Sequence, residues 1–316
     1  MSAAVAQLTD PDALTSPFAL TKNYYRDVYP AVNPTNSKNS AKGKSVLITG
    51  GGRGIGLGIT LSWAKAGAST IIITGRTMTF LESAIEEIRK ISPSTKALAF
   101  PCNVTDPTAV QSLFAKTKSE IGHLDVLICN VGGISHAEAD LKIGEKSPKD
   151  FFYDIDINLK SDYLCIHHYL NAFGFVNNPT PPTGTIISVS TATAGFVLPG
   201  LSSYGIAKLA AVRLMEFLEL EYPTIRGFSV APGTVLTDNL ATYLHRFALD
   251  TMELAGGWTT YLASEQGDYL KGDWVSVNWD AVEMEEHKEE IVGKQLLKSG
   301  FLNVTPRPGG YPWGEL

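Results

Sequence analysis

The feature that most constrains the fold of this sequence is an alternation of short apolar runs with longer segments whose apolar residues recur at helical spacing. The apolar runs, in order, are SVLIT, TIIIT, ALAFP, DVLICN, GTIISVS and GFSVAP, and a helical segment lies between each pair. Strands that pair in parallel are joined by helices and buried on both faces, so they read as continuous apolar runs. The pattern predicts an α/β fold with a doubly wound, Rossmann-type parallel sheet.

The two ends of the chain differ in composition from this alternating region. Residues 1–41 are rich in Pro, Asn, Ser and Thr, a composition that buries little apolar surface. Their aromatic stretch, FALTKNYYRDVYP, is best explained by docking onto a neighbouring surface. Residues 284–298 have the pattern of an amphipathic, charged helix. We therefore predict a single domain over residues 42–280, with an N-terminal extension at 1–41 and a C-terminal tail at 281–316.

Charge and hydropathy exclude several classes of partner. The formal net charge is −6, and no run of Lys and Arg could attract a phosphate backbone, so we expect no nucleic-acid partner. Apolar stretches fall far short of the roughly 18 residues that span a bilayer, and the N-terminus lacks the pattern of a secretory signal. We therefore expect a cytoplasmic protein without a membrane partner. Charged residues make up only 18% of the chain, which favours burial of surface in a homo-oligomer.

The cysteines indicate neither a disulfide framework nor a metal site. Cys102, Cys129 and Cys165 are far apart and form no CxxC pair. We expect them to be buried free thiols, and we predict no metal.

A glycine-rich turn directly follows the first apolar run. Residues 50–56 read GGGRGIG and precede a helical segment. Glycines at this place let the backbone approach a pyrophosphate, and the helix N-terminus offers unpaired N–H groups and a partial positive charge. A tight turn alone is the alternative, but the position at the start of the sheet favours dinucleotide binding. The expected contacts are Gly50, Gly52, Arg53, Gly54, Ile55 and Gly56.

Further motifs follow the glycine turn in a definite order. They are NVTD at 103–106, NVG at 130–132, DINLK with Asn158, Tyr204 with Lys208, and Pro232 and Gly233 followed by Thr237. With the TGxxxGxG spacing of the turn, they resemble the short-chain dehydrogenase/reductase family over about residues 44–280. The resemblance implies a nicotinamide-dependent oxidoreductase acting on a small molecule. It implies further cofactor contacts at Asn103, where an aspartate is more usual, and at Val104, Asn130, Gly132, Lys208, Pro232, Gly233, Val235 and Thr237.

The end of the second apolar run bears on the choice of cofactor. Members of the family that prefer NAD carry an acid where this chain has Gly75, and Arg76 follows it. Arg76 and Arg53 are suited to bidentate contact with a 2′-phosphate. We therefore expect NADP(H), with NAD(H) as the second choice. The alternative is that both side chains are solvated surface arginines.

Tyr204 and Lys208 are the expected acid–base pair. A free phenol has a pKa of about 10, too high for efficient proton transfer near neutral pH. Residues four apart share a helix face, so the Lys208 ammonium is predicted to lower the pKa of the Tyr204 phenol. In the family, a serine thirteen residues before the tyrosine bonds the substrate carbonyl; that count gives Thr191, with Ser190 as the alternative. The resemblance also implies that Asn158 holds a water that links Lys208 to solvent.

The substrate is expected to contact the loop after Thr237 and the C-terminal tail, because loops beyond the carboxyl ends of the strands form the cleft in this architecture. His136 is a further candidate. The ring side chains of the loop indicate a partly apolar pocket for a ring-bearing or lipid-like ketone or alcohol, although core packing explains them equally well. They are Tyr243, His245, Phe247, Trp258 and Tyr261.

The C-terminal strand departs from the sequence that is usual in the family. The family has a VDGG-like ending where this chain reads VNWD, with Trp279 and Asp280, so a standard oligomer interface does not carry over directly.

The same fold could also serve a dehydratase or isomerase, or a non-catalytic NADP-binding regulatory module.

Overall fold

The predicted sheet is confirmed in a computed structural model, which describes residues 9–135 and 141–300. Seven parallel strands lie in the order β3-β2-β1-β4-β5-β6-β7. The strands are β1 Ser45–Thr49, β2 Thr70–Gly75, β3 Lys96–Pro101, β4 Val126–Cys129, β5 Gly184–Val189, β6 Ile225–Ala231 and β7 Trp274–Ser276.

Helices connect the strands and cover both faces of the sheet. They are α1 Gly54–Lys65, α2 Met78–Ile91, α3 Pro107–Ile121, α4 Pro148–Ile155, α5 Ser161–Ala172, α6 Ser202–Glu221, α7 Met252–Leu262, α8 Ala281–Glu286 and α9 Lys288–Gly293. A single wide π-helical turn, Asp156–Lys160, joins α4 to α5. The prediction of one helix over 284–298 is wrong, because α8 ends at Glu286 and a separate short helix begins at Lys288.

The core has two layers because successive strand residues point to opposite faces. In β1, Val46 and Ile48 join the apolar cluster that contains Trp258 of α7, whereas Leu47 joins the cluster that contains Phe114 of α3. All five residues of β1 are buried. Continuous apolar runs therefore arise here because each strand has helices on both sides.

The N-terminal segment packs against the domain over its described part. The aromatic stretch docks as expected: Tyr29 and Val32 are buried in the same cluster as Trp258. The Tyr29 hydroxyl donates to the Trp279 carbonyl at 2.9 Å and accepts from the Ala281 amide at 2.9 Å. Residues at the far end of the sequence therefore anchor this segment.

The sequence expectations about cysteines and membrane spans can be compared with the same structure. Cys102, Cys129 and Cys165 are free and buried, as predicted. Within residues 9–135 and 141–300, none of the helices combines the length and apolar character that crossing a bilayer requires.

The strand order places a crevice at the carboxyl edge of the sheet. β1 lies between β2 and β4, so the direction of chain progression reverses at β1. In open parallel sheets, ligands bind beyond the carboxyl ends of the strands at such a switch point. The glycine turn follows β1 directly, and residues 130–133 follow β4.

Candidate active site

The glycine turn has the backbone geometry of a phosphate-binding loop. Gly50 has φ +66°, a conformation that favours glycine, and its amide donates to the Thr74 carbonyl at 2.7 Å. A Cβ at Gly56 would lie 2.1 Å from the Gly50 carbonyl oxygen, so the turn can close only without a side chain there. α1 begins at Gly54, and the residue before it, Arg53, makes no side-chain cap. The first amides of α1 are therefore free to bind an anion.

A cavity of about 690 Å³ extends from this turn across the carboxyl edge of the sheet. Most of the predicted cofactor residues line it: Gly50, Gly52, Arg53, Gly54, Ile55, Gly56, Arg76, Asn103, Val104, Asn130, Gly132, Lys208, Pro232 and Thr237. Sequence reasoning missed other lining residues, among them Phe80, Asp238 and Met252. Two predicted contacts, Gly233 and Val235, instead line a second, adjoining cavity.

The charges at the mouth of the cavity are mixed. Arg53 Nη1 lies 3.5 Å from Asp238 Oδ2, and its guanidinium lies over the Phe80 ring at 5.6 Å from the ring centre. The Asp238 side chain is 84% exposed, so this ion pair is weak and exchangeable. Arg76 is exposed beside Gly75, where no acid stands. Both cations thus lie where a phosphate could be reached.

Lys208 is buried under the middle of the cavity. Its Nζ donates to the Val189 carbonyl at 2.7 Å. Burial lowers the pKa of Lys208, while the nearby Asp162 carboxylate and Cys129 act in the opposite direction. Asp162 is itself buried and accepts from Ser188 Oγ at 2.6 Å, and burial raises the pKa of its carboxyl to about 6. Sequence reasoning did not find this carboxyl group.

Tyr204 lies where the two cavities meet, since it lines both. Burial raises the pKa of its phenol, and a hydrogen bond with the Thr191 side chain acts in the opposite direction. The prediction of a lowered pKa is therefore wrong for the chain on its own. The desolvation of the hydroxyl is the larger effect.

The two candidate hydroxyls before Tyr204 differ in their surroundings. Thr191 contacts the Tyr204 hydroxyl and lines the second cavity. Ser190 lines both cavities, and its buried Oγ has no hydrogen-bond partner among the described residues. An unpaired buried hydroxyl costs free energy, and a ligand in either cavity could satisfy it.

Asn158 lies in the π-helical turn and lines neither cavity. Its side chain accepts from the Gly133 amide at 3.0 Å and donates to the carbonyls of Gly133, at 2.6 Å, and Asp154, at 2.8 Å. A Cβ at Gly132 would lie 2.7 Å from Asn158 Oδ1 and 3.0 Å from Lys208 Nζ. Asn158 thus holds the loop after β4 close to Lys208.

A second buried network, which sequence reasoning missed, supports the same region. Lys146 Nζ lies 2.5 Å from Asp154 Oδ2 and 2.9 Å from Ser203 Oγ, and Ser203 Oγ donates to Asp154 Oδ2 at 2.6 Å. The Ser135 amide donates to the other carboxylate oxygen at 2.8 Å. The network joins the loop after β4 and helix α4 to the residue that precedes Tyr204.

The second cavity measures about 330 Å³. Of the ring side chains predicted to line it, only Tyr243 does so. The prediction is wrong for Phe247, Trp258 and Tyr261, which are buried in the core, and His245 is exposed. His136 lies outside the described residues.

Comparison with known proteins agrees with this geometry. The short chain dehydrogenase family profile matches residues 44–246. The chain is 31% identical over 306 residues to the short chain dehydrogenase pigC of Monascus ruber, covering 92% of this chain and 97% of that protein. It is 32% identical over 277 residues to a short chain dehydrogenase/reductase of Claviceps purpurea, covering 86% and 90%.

Solved structures show the same fold. A short-chain type dehydrogenase/reductase from Mycobacterium marinum superposes with a TM-score of 0.67 at 25% identity, covering 77% of this chain and 96% of that one. A 7α-hydroxysteroid dehydrogenase complexed with NADH and 7-oxo glycochenodeoxycholic acid has the same TM-score at 22% identity, covering 77% and 95%. The chain belongs to the short-chain dehydrogenase/reductase family, whose members are oxidoreductases that bind a nicotinamide cofactor.

Proposed function

We propose that this protein is an NADP(H)-dependent oxidoreductase that interconverts a carbonyl group and a secondary alcohol. The observation that carries the proposal is the position of Tyr204 at the junction of the two cavities. One cavity begins at the glycine turn and reaches Lys208, and the other is mostly apolar and adjoins it. A proton donor between a cofactor site and a substrate site is the arrangement that carbonyl reduction requires.

The residues of the larger cavity fit a dinucleotide. The uncapped N-terminus of α1 offers amides to a pyrophosphate, and Ser190 Oγ is a buried donor without a partner among the described residues. Gly132 leaves open the space beside Lys208 Nζ that a side chain would fill. When bound, the nicotinamide would supply or accept the hydride. Arg53 and Arg76 would hold a 2′-phosphate.

The side chains around Tyr204 supply the proton chemistry. In the direction of reduction, the Tyr204 hydroxyl gives its proton to the carbonyl oxygen as that oxygen gains negative charge. Thr191 lies within hydrogen-bonding reach of Tyr204 and would polarise the same oxygen. Lys208 would stabilise the tyrosinate by its charge, and Asp162 favours the charged form of Lys208. The loop held by Asn158 keeps the backbone near Lys208 in place.

Replacement of Tyr204 by phenylalanine tests the proposed reaction. Positioned acid–base catalysis contributes roughly 10² to 10⁴-fold, so Tyr204→Phe should lose turnover by about that factor. NADPH binding should stay within about threefold, measured by calorimetry, because the phenol does not hold the dinucleotide. Turnover is followed by the loss of NADPH absorbance over a panel of ketones. Full activity in the variant, or no NADPH oxidation by the native protein with any ketone, would reject the proposal.

The cofactor preference has its own test. Arg76→Ala should lower kcat/KM for NADPH by about tenfold, the loss of one charge-assisted hydrogen bond, and leave kcat/KM for NADH within about twofold. Lys65→Ala, on the distant end of α1, is the matched control for removal of one positive charge. Equal losses with both cofactors, or native parity between them, would contradict the assignment.

We also propose that the protein forms a homo-oligomer through the outer face of α6. Ile206, Leu209, Phe217 and Leu220 recur on that helix at helical spacing and are exposed, with Leu220 78% exposed. A second copy of the chain is the proposed occupant, since a stripe of this kind favours a self-complementary contact. Light scattering after size exclusion should report a multimer, and Leu220→Glu should shift it toward the monomer. A native monomer would reject the proposal.

The free thiols favour a reducing compartment, and we propose the cytosol. Cys102, Cys129 and Cys165 are buried and form no disulfide with one another. Imaging of a tagged full-length chain tests this placement, and enrichment in a secretory compartment would contradict it.

A further inference from the structure

The wall of the second cavity, the smaller of the two, includes a segment from outside the sheet. We call residues 12–29 the arm. Five of its residues line the cavity that Tyr204 enters, namely Leu14, Thr15, Phe18, Ala19 and Tyr24. The Phe18 ring stacks on Phe196, with ring centres 4.2 Å apart and planes within 10°. Phe196 lines the same cavity, so the stacked pair contributes aromatic surface to its wall.

The arm is held by the residues that depart from the family's usual ending. Trp279 Nε1 donates to the Phe18 carbonyl at 2.9 Å, and the Asp280 amide donates to Thr21 Oγ1 at 2.9 Å. The Tyr25 amide donates to the Asn278 carbonyl at 2.8 Å, and Asn278 Nδ2 returns a bond to the Tyr25 carbonyl at 2.9 Å. The VNWD sequence therefore forms the docking site of the arm.

A partly buried ion pair ties the arm to the loop after β6. Arg26 Nη1 lies 3.1 Å from Asp250 Oδ1 and donates to Thr15 Oγ1 at 2.6 Å. The Asp250 side chain is fully buried and also accepts from the Thr234 amide at 2.5 Å and from Asn278 Nδ2 at 2.7 Å. The arm is therefore connected to residues on two other sides of the same cavity.

The chemistry of the cavity wall restricts the ligand. No residue that lines it within the described parts of the chain is an acid, a lysine, an arginine or a histidine. Its lining includes the aromatic side chains of Phe18, Tyr24, Phe196, Tyr243, Trp274 and Trp279. A charged ligand would lose its hydration there without a partner, whereas a planar apolar ring gains stacking contacts. At about 330 Å³, the cavity is in the range of sites for compact small molecules.

We propose that the arm is the specificity wall of the substrate pocket, and that Phe18 selects a planar, uncharged, fused-ring ketone or the corresponding alcohol. The inference rests on the proposed function for the identity of the reacting group. The binding of a ring to the cavity does not require turnover, so it can be measured separately from the reaction. Phe18 is thus a specificity-determining residue supplied by the N-terminal segment.

Calorimetric binding of fluorenone to the full-length chain saturated with NADP⁺ tests the inference. Phe18→Ala should weaken fluorenone binding about tenfold, from lost stacking and lost apolar contact, and Phe18→Tyr should retain the affinity. The non-planar ketone decalone should lose less affinity than fluorenone in the Phe18→Ala variant. Leu20→Ala is the matched control, since Leu20 lies on the same arm, is 41% exposed and does not line the cavity. It should bind fluorenone within about twofold of the native chain.

Several results would overturn the proposal. Native affinity in Phe18→Ala, or equal losses in Phe18→Ala and Leu20→Ala, would show that Phe18 does not recognise the ring. Absence of fluorenone binding to the native chain would reject the fused-ring class. If Phe18→Ala does not fold, Phe18→Leu provides the same comparison. Binding of fluorenone without any NADPH oxidation would count against the hydride-transfer proposal alone and leave the arm's role standing.

Discussion

Replacing Lys146 with methionine removes the positive partner of a carboxylate that has no contact with solvent. The side chains of Lys146 and Asp154 are 1% and 0% exposed, and their charged atoms lie 2.5 Å apart. Breaking a buried pair from one side costs about 3 to 5 kcal/mol, because the remaining charge stays buried and unpaired. Ser203 Oγ and the Ser135 amide still donate to Asp154, so we expect the lower end, about 3 kcal/mol.

Urea denaturation of the NADP⁺-free protein measures this loss as a change in the free energy of unfolding. Lys149→Met replaces an exposed lysine in the first turn of α4, the helix that carries Asp154; it is the control and should stay within about 0.5 kcal/mol. The double variant Lys146→Met with Asp154→Asn removes both charges and should recover part of the loss. A Lys146→Met variant within 1 kcal/mol of the native protein would refute the reasoning. So would a double variant that is no more stable than the single one.

Three further predictions follow from the geometry of other groups. Thr191→Ala should lose most of the turnover and Ser190→Ala much less, measured as kcat; the reverse order would show that Ser190 is the reacting hydroxyl. Because burial raises the pKa of Asp162 to about 6, ionisation of this one carboxyl lowers the free energy of unfolding as the pH rises from about 4 to 6. The free energy of unfolding of Asp162→Asn, relative to that of the native chain, should therefore rise by about 2 to 3 kcal/mol between pH 4 and pH 7 in urea titrations. A difference between the two that does not change with pH would contradict this. Arg26→Ala should cost about 3 kcal/mol of unfolding free energy, because the buried Asp250 carboxylate loses its cationic partner and keeps only two hydrogen-bond donors, with partial recovery when Asp250→Asn is added.

Most of the candidate residues that line the two cavities could be predicted, because each lies in a motif that is local in sequence. Residues 50–56 are contiguous and run from the glycine turn into the start of α1, and Tyr204 and Lys208 lie one helical turn apart. The sheet then brings these motifs together, because the carboxyl ends of parallel strands meet at one edge. The place where the larger cavity begins could therefore be predicted from the alternation of strands and helices and from the glycine turn after the first strand.

The ring side chains after Thr237 were harder to place. Trp258 and Tyr261 lie on α7, which packs against α1 and turns them into the core, whereas Tyr243 faces the smaller cavity. The spacing of apolar residues in this stretch does not distinguish side chains that enter the core from those that line the cavity. Only the packing of one helix on another decides which apolar side chains meet a ligand.

The raised pKa of Tyr204 has a similar origin. Helix spacing correctly places Lys208 on the same helix as the phenol, but a pKa depends on burial and on all neighbouring groups. Desolvation of both side chains and the position of Asp162 are properties of the assembled site.

The sequence by itself determined the doubly wound parallel sheet, the glycine turn and the placement of Tyr204 and Lys208 on one helix, because short-range periodicity and spacing encode them. The tertiary structure alone decided which distant residues share a site. Lys146 meets Ser203 across 57 residues, and the arm meets Trp279 across about 250, so no local pattern records either contact. Those contacts form because buried charges need partners and apolar surface is removed from water, and both conditions are met only in the folded chain.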